Sequence, residues 1–203
     1  MAKLRWFLLT GLFAVLAIVW PALDPARDGR HAVSHAQEKD WESKKIVPFV
    51  PTPQEVVDRM LELAQVKKGD VVYDLGSGDG RIVITAARKF GVRAVGFEID
   101  PDLIKESREN IKKAGLEHLA EIREQDILTV DLSPATVLTM YLLPSVNLQL
   151  RPKVQKELRA GARVVSHAFD MGDWKAERVE QVKDPAGFSR TVYLWRIRDR
   201  AGR

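Results

Sequence analysis

Two acidic residues frame a glycine-rich turn in the segment Val71–Arg81, whose sequence is VVYDLGSGDGR. An apolar, β-branched run ends at Asp74, and Gly76, Gly78 and Gly80 follow directly before a helical pattern. This order predicts a strand, a tight turn and a helix N-terminus, which together bind nucleotide-like cofactors. Glycines suit such a turn because the backbone bends sharply and the ligand approaches it without a Cβ atom in the way.

The acids at this turn indicate which cofactor it would bind. A dinucleotide turn has the spacing G-x-G-x-x-G and faces a pyrophosphate, whereas the spacing here is G-x-G-x-G. Asp74 and Asp79 would repel a pyrophosphate, but they suit a ligand with a cationic amino group and a sulfonium. The segment from Asp74 to Arg81 resembles the first motif of class I S-adenosyl-L-methionine (SAM) methyltransferases. The resemblance implies SAM as the cofactor, bound by Asp74, Gly76, Ser77, Gly78, Asp79 and Gly80.

Acidic residues also follow the next two predicted strands. Arg93–Glu98 predicts a buried strand, and its terminal acid, Glu98, lies 22 residues after Gly76, near the offset of about 20 at which an acid meets a ribose. Ala120–Glu124 predicts a third strand, and Asp126 and Ile127 follow it where class I methyltransferases bind the adenine. Because ligands of open α/β sheets bind at the carboxyl ends of the strands, we expect the three strand-end acids to share one cleft.

The remaining pattern predicts the fold that positions these residues. Strands alternate with helices, and two closing strands follow around a turn at Asp184–Gly187. The sequence therefore predicts an α/β fold: a Rossmann-like seven-stranded methyltransferase sheet with helices on both faces, preceded by an N-terminal apolar helix. Thr52 and Glu55 form a capping-box pattern, which predicts Thr52 as the N-cap of the first helix. Pro152 should break or kink a helix expected from Pro144 to Leu158.

Three segments narrow the resemblance to one group of methyltransferases. They are Val50-Pro51-Thr52, the turn and helix start at residues 76–84, and residues 143–166 with Leu143-Pro144 at their start. These segments are similar to the membrane-anchored protein-lysine methyltransferases of mitochondria, which act on the c-subunit of ATP synthase and the adenine nucleotide translocase, and to their archaeal and bacterial relatives. The similarity covers residues 48–174. It implies methyl transfer to a protein lysine, and we add Thr52 to the predicted cofactor-binding residues.

The segment after the fourth predicted strand bears on the acceptor. Met140–Pro144 lacks the Asn/Asp-Pro-Pro-Tyr/Phe motif that grips an exocyclic amine in DNA and RNA amino-methyltransferases. An apolar channel would lower a lysine pKa, and transfer from a sulfonium relies largely on positioning and desolvation. Tyr141 is our one predicted catalytic-site residue, with packing on the rim of the sheet as its alternative role. We interpret His167, Asp170 and Trp174 as a rim histidine, a loop acid and a core tryptophan, with lining of the acceptor pocket as their alternative role.

Charge and cysteine content limit the other function classes. The chain has 32 Lys and Arg against 28 Asp and Glu, a net charge of +4, and no cysteine. Without a basic stripe, nucleic acid is a less favoured partner, and no cysteine-ligated metal site or thiolate nucleophile is available. The alternatives are a small-molecule or RNA methyltransferase, a SAM-binding module without transfer activity, and a NAD-binding oxidoreductase. The glycine spacing and Asp126 disfavour the last. The scattered histidines predict no metal site.

The N-terminus carries an apolar segment outside the predicted domain. Lys3 and Arg5 precede an uncharged run of 15 residues from Trp6 to Trp20, and the terminal tryptophans suit the two membrane interfaces. The run predicts either a single membrane-anchoring helix or a signal peptide that is cleaved before Gln37. The predicted organisation is a signal peptide or anchor at 1–23, a tether at 24–50 and the methyltransferase domain at 51–203. The expected partners are the membrane and a protein substrate, with membrane proteins among the candidates.

Overall fold

A computed structural model describes residues 49–199. The predicted apolar helix at the N-terminus, and all of the predicted tether except its last two residues, lie outside the described residues. Within residues 49–199, no helix is both long and apolar enough to cross a membrane.

Helices and strands alternate through most of the domain, as the sequence predicts. The helices are α1 (Gln54–Leu63), α2 (Arg81–Phe90), α3 (Pro101–Lys113) and α4 (Pro144–Glu157). The strands are β1 (Val71–Leu75), β2 (Arg93–Glu98), β3 (Ala120–Glu124), β4 (Val137–Met140), β5 (Arg163–His167), β6 (Arg178–Lys183) and β7 (Ser189–Arg196).

The strands form one seven-stranded sheet in the order β3-β2-β1-β4-β5-β7-β6. The first five strands of the chain are parallel, and β7 runs antiparallel to both of its neighbours. From β1 the chain adds β2 and β3 successively toward one edge of the sheet, and it then returns to place β4 on the other side of β1. This reversal creates the crevice at which open α/β sheets bind ligands. The predicted Rossmann-like seven-stranded sheet is confirmed.

Apolar residues cover both faces of the sheet. One core cluster joins α1, α2 and α3 to one face, and a second joins α4 and the segment before β4 to the other. Successive residues of β1 alternate between them, since Val72 belongs to the first cluster and Tyr73 and Leu75 to the second. Burial on both sides explains why the apolar residues of β1 do not alternate with polar ones, and Asp74 is the one charged residue in the strand.

The structure contradicts the predicted N-cap of α1 and the predicted break at Pro152. The N-cap of α1 is Pro53, and no side chain caps that end. Thr52 lies one residue earlier, and its hydroxyl contacts His167 instead. Helix α4 continues through Pro152 to Glu157 rather than breaking, because this proline is exposed and water can bind the carbonyl that loses its helical donor. The sequence Asp100-Pro101 is typical of a helix start and predicts Asp100 as the cap of α3. This prediction is confirmed, since the Asp100 carboxylate accepts bonds from two backbone N–H groups.

Candidate functional site

The carboxyl ends of β1, β2 and β4 enclose a cleft beside the glycine turn. Nine of the eleven predicted site residues line it: Thr52, Asp74, Gly76, Ser77, Asp79, Glu98, Asp126, Ile127 and Tyr141. Gly78 and Gly80 are absent from the lining but belong to the same turn, where Gly78 donates to Glu98 and Gly80 forms the N-terminal boundary of α2. The sequence analysis missed the other residues that line the cleft: Phe49, Val50, Pro51, Arg81, Ile82, Phe97, Ile99, Leu103 and Leu142.

The glycines of the turn are required by both conformation and space. Gly76, Gly78 and Gly80 all have φ between 53° and 80°, a region that other L-residues rarely adopt. A Cβ atom on Gly78 would lie 2.2 Å from Cε2 of Phe49, and one on Gly76 would lie 2.9 Å from Cδ2 of Leu142. The backbone of the turn is therefore in direct contact with residues that line the cleft.

Asp74 is a buried residue near the carboxyl end of β1, and it lines the cleft. Its side chain accepts a hydrogen bond of 2.8 Å from the hydroxyl of Thr139 on β4. Burial raises the pKa of Asp74 to about 8, with Thr139 opposing the rise and the charges of Glu98 and Asp79 adding to it. The carboxyl is therefore mostly protonated at neutral pH, and a cationic group placed beside it would favour its ionised form.

Glu98 is held in a fixed orientation at the end of β2. One carboxylate oxygen accepts from the backbone N–H of Gly78 at 2.9 Å, and the other accepts from Ile99 and Asp100 at 2.8 and 3.1 Å. Asp126, after β3, similarly accepts from the N–H of the residue two positions on. These backbone bonds position both acids on the wall of the cleft without using a cationic side chain.

Asp79 differs from the other acids because Arg81 balances its charge. The Arg81 Nε donates to both carboxylate oxygens, at 2.9 and 3.1 Å. The sequence pattern predicted a free acid at position 79, whereas the structure shows Asp79 in an ion pair with Arg81. The signal was present two residues away, since the arginine that follows the third glycine can reach back across the turn.

A short segment before α1, Phe49–Thr52, forms one wall of the cleft, and we call it the strap. The Arg81 Nη1 donates to the Thr52 carbonyl at 2.7 Å, so the guanidinium that pairs with Asp79 also holds the strap. The ring of Phe49 covers Gly78. The strap and the glycine turn are therefore joined by the hydrogen bond from the Arg81 side chain to the Thr52 carbonyl and by the contact between Phe49 and Gly78.

An aromatic group lies at the β4–β5 side of the cleft. The Tyr141 ring is 4.0 Å from the His167 ring and 6.3 Å from the Phe169 ring, measured between centroids. His167 is 1% exposed, and its Nδ1 lies 3.2 Å from the Thr52 hydroxyl oxygen. Burial, and then the positive charge of Arg190, lower the His167 pKa to about 4, so the imidazole is neutral. The interpretation of His167 as a rim histidine is therefore wrong, because the side chain is buried. Its two contacts place it beside the acceptor side of the cleft, which was the other role considered for it.

The neighbouring residues of the β5 loop have structural contacts. Asp170 is exposed and accepts from the N–H of Gly172, and the Trp174 carbonyl accepts from the Trp195 indole. The contact of Asp170 agrees with its interpretation as a loop acid. Trp174 is half-buried rather than a core residue, and its ring packs against the second core cluster, 5.7 Å from the Trp195 ring. Within the part of the chain that the structure describes, no group of three or more histidine and acidic residues could hold a metal ion.

Comparison with known proteins places this site in a family. Residues 74–178 match the ANTKMT methyltransferase domain. A protein-lysine N-methyltransferase of Saccharolobus islandicus (strain REY15A) is 51% identical over 152 residues, 74% of this chain and 94% of the relative. The Homo sapiens lysine N-methyltransferase of the ATP synthase C-subunit is 33% identical over 183 residues, 87% of this chain and 71% of the relative.

A solved structure is similar to this chain in both fold and sequence. It is an RNA methyltransferase from Salinibacter ruber in complex with S-adenosyl-L-homocysteine, with 57% sequence identity and a TM-score of 0.69. The alignment covers 74% of this chain and 95% of that one. The identity and coverage of these relatives, together with the strand order and the glycine turn, show that this chain belongs to the ANTKMT methyltransferase domain family.

Proposed function

We propose that this chain is a SAM-dependent methyltransferase that transfers a methyl group to a lysine amine of a protein. The observation that carries the cofactor assignment is Asp74, a buried carboxyl beside the glycine turn whose only described side-chain hydrogen-bond partner is the Thr139 hydroxyl. A ligand that is cationic at its amino group and its sulfur would compensate the charge of this carboxylate. The lysine acceptor is supported by the Saccharolobus and human relatives, both of which are lysine N-methyltransferases.

The remaining cleft residues suit the other parts of SAM. Glu98 would accept hydrogen bonds from the ribose hydroxyls, and Asp126 and Ile127 would contact the adenine. Ser77 adds a further sign of a ligand, because its hydroxyl oxygen is buried and has no hydrogen-bond partner within residues 49–199. The Ser77 side chain fits against β2 because residue 96 is a glycine, and a Cβ atom on Gly96 would lie 2.5 Å from the Ser77 hydroxyl oxygen.

Bound SAM supplies a methyl group that a sulfonium has already activated. The protein must then orient an acceptor amine in its neutral form and exclude water. We propose that Tyr141, which follows β4 and lines the cleft, contacts this amine. Leu142 beside it is buried and Phe169 stacks behind it, so the surroundings are apolar and disfavour the charged form of a lysine.

RNA is the competing acceptor, because the similar protein from Salinibacter ruber is described as an RNA methyltransferase. In this chain the segment after β4 is Tyr141–Pro144, which lacks the Asn/Asp-Pro-Pro motif that amino-methyltransferases use to hold a base. A neutral, apolar surface suits an aliphatic amine better than a base edge, which needs paired donors and acceptors. The acceptor therefore decides between the two functions, and it can be measured directly.

The test is transfer of labelled methyl groups from SAM to a cell lysate by the full-length chain. We expect the label in protein that survives nuclease treatment and disappears with protease, and methyl-lysine after acid hydrolysis. A Tyr141→Ala variant should retain SAM affinity and lose most of the transfer, because the tyrosine is assigned to the acceptor side. Label that nuclease removes and protease spares would refute the lysine assignment, and absence of SAM binding would refute the enzyme assignment.

We also propose that residues 1–23 anchor the chain to a membrane or direct its export, followed by a tether that ends before Phe49. The uncharged run from Trp6 to Trp20 supports the first part. The positions of Phe49 and Val50 on the wall of the cleft support the second. Carbonate extraction of membranes and N-terminal sequencing of the expressed protein separate an uncleaved anchor from a cleaved signal. A full-length chain that remains in the soluble fraction would contradict both.

A further inference from the structure

The strap and the aromatic group meet at one side chain. The hydroxyl of Thr52 and the Nδ1 atom of His167 are 3.2 Å apart in a buried contact, although 115 positions separate them in the sequence. The other side of the same imidazole packs against the Tyr141 ring at 4.0 Å, with 37° between the ring planes. His167 is therefore the one described residue that contacts both the strap through a hydrogen bond and Tyr141 through its ring.

We propose that His167 is a positioning residue, which couples the strap on the cofactor side of the cleft to the Tyr141 ring on the acceptor side. The inference about Tyr141 depends on the proposed function, whereas the inference about the strap depends only on binding of SAM. Through the hydrogen bond, His167 holds the strap closed beside the glycine turn. Through its ring, it sets the orientation of Tyr141.

The burial of His167 argues that the imidazole has a specific task. Its Nε2 atom is buried without a hydrogen-bond partner among the described residues, and an unpaired buried polar atom is unfavourable. A phenylalanine or leucine would fill the same space beside Tyr141 without that penalty. The hydrogen bond to Thr52, which an apolar residue could not make, explains why a histidine occupies this position.

The same environment excludes a role as the base that deprotonates the acceptor. His167 lies outside the lining of the cleft, and its low pKa of about 4 follows from burial and from Arg190. A lysine ammonium, with an unperturbed pKa near 10, would not transfer its proton to such a weak base. His167 therefore acts through Thr52 and Tyr141, and it moves no proton.

Four substitutions separate the two contacts. Thr52→Val removes the hydroxyl at nearly constant shape, and Thr52→Ser keeps it. His167→Phe keeps a ring beside Tyr141 without the nitrogen, and His167→Asn keeps an amide near the Nδ1 position without the ring. Thr191→Val, which removes the hydroxyl that pairs with Gln181 on the β6–β7 hairpin, is the matched control for loss of a threonine hydroxyl outside the site.

We expect Thr52→Val and His167→Phe to weaken SAM binding by about fivefold each in calorimetric titration, the equivalent of one net hydrogen bond. The double variant should be no weaker than either single variant, because both changes remove the same bond. Thr52→Ser should restore most of the affinity that Thr52→Val loses, and Thr191→Val should not change it. Thermal unfolding of each variant reports whether the fold is intact.

His167→Asn should have the opposite profile. We expect SAM affinity within about twofold of the parent, and at saturating SAM a fall in kcat of tenfold or more, because the Tyr141 ring loses its support. Unchanged SAM affinity in Thr52→Val and His167→Phe, or additive losses in the double variant, would overturn the strap coupling. Unchanged kcat in His167→Asn would overturn the coupling to Tyr141. Failure of the parent chain to methylate lysine would refute the proposed function and leave the SAM-binding result interpretable.

Discussion

Replacing Asp74 with asparagine tests the site because it should change stability and cofactor binding in opposite directions. Asparagine has nearly the same shape, and its carbonyl oxygen can still accept the Thr139 hydrogen bond. It removes only the ability to ionise. The folded protein raises the pKa of Asp74 from its ordinary value of 3.8 to about 8. In the unfolded chain the same group is ionised above about pH 4.

The sign and size of the effect follow from this difference. Between pH 4 and 8 the folded state keeps the Asp74 proton and the unfolded state releases it, so rising pH favours unfolding by about 1.4 kcal/mol per pH unit. The stability that the protonated Asp74 contributes is fully present below about pH 4 and is lost above about pH 8. The asparagine side chain has no proton to release in this range, so the stability of D74N relative to the parent should grow by about 3 kcal/mol from pH 5 to pH 7. In a domain of this size, that is about 6–12 °C in Tm.

The assay is calorimetric unfolding of both proteins at pH 5, 6, 7 and 8 without SAM. The two proteins share all other titrating groups, so the contributions of those groups cancel in the difference between the two Tm values. A Tm difference that stays constant with pH would refute the buried, proton-binding Asp74. At pH 7.5, D74N should bind SAM about 10- to 100-fold more weakly, since a charged hydrogen bond is lost. In the parent, SAM affinity should rise with pH up to about 8, with proton release on binding. Equal SAM affinity of the two proteins would refute the contact with the cofactor.

Two further substitutions test the turn and the core. Gly78→Ala should weaken SAM binding, because the new Cβ would lie 2.2 Å from Cε2 of Phe49 and the ring must shift on the wall of the cleft. Gly115→Ala also places a side chain at a positive φ, of 67°, but in open space, so it should be destabilised and keep the SAM affinity of the parent. Similar SAM affinity in the two variants would contradict this. Arg163→Met should reduce the free energy of unfolding in urea by about 3–5 kcal/mol, because it leaves the buried Asp70 carboxylate without its two guanidinium hydrogen bonds, and a loss below about 1 kcal/mol would refute that pairing.

Local sequence patterns predicted the elements and the turn of this domain well. Strand β1, the glycine turn and the Asp100 cap each depend on residues within a few positions of one another. Such signals are present in the sequence because backbone conformation is decided locally. The placement of acids at successive strand ends was predictable for the same reason, once the parallel alternation of strands and helices was recognised.

The features of the site that were missed depend on contacts between distant parts of the chain. Thr52 has a capping-box sequence, but its partner is a histidine on the fifth strand. Thr139 bonds Asp74 because their strands pair in a register that places the two residues opposite each other. Neither register nor packing is encoded in a short window, so the sequence identified the acid and could not identify the hydroxyl that supports it.

The position of the strap has a consequence for where this domain begins. Phe49–Thr52 precedes every helix and strand in residues 49–199, and the family match begins later still, at Asp74. A boundary drawn at the first regular element would keep the entire sheet and discard a wall of the cleft. A chain shortened to start at Pro53 would therefore carry all the sequence of the fold and only part of its binding site. The cleft of this protein therefore begins several residues before the first helix of its fold.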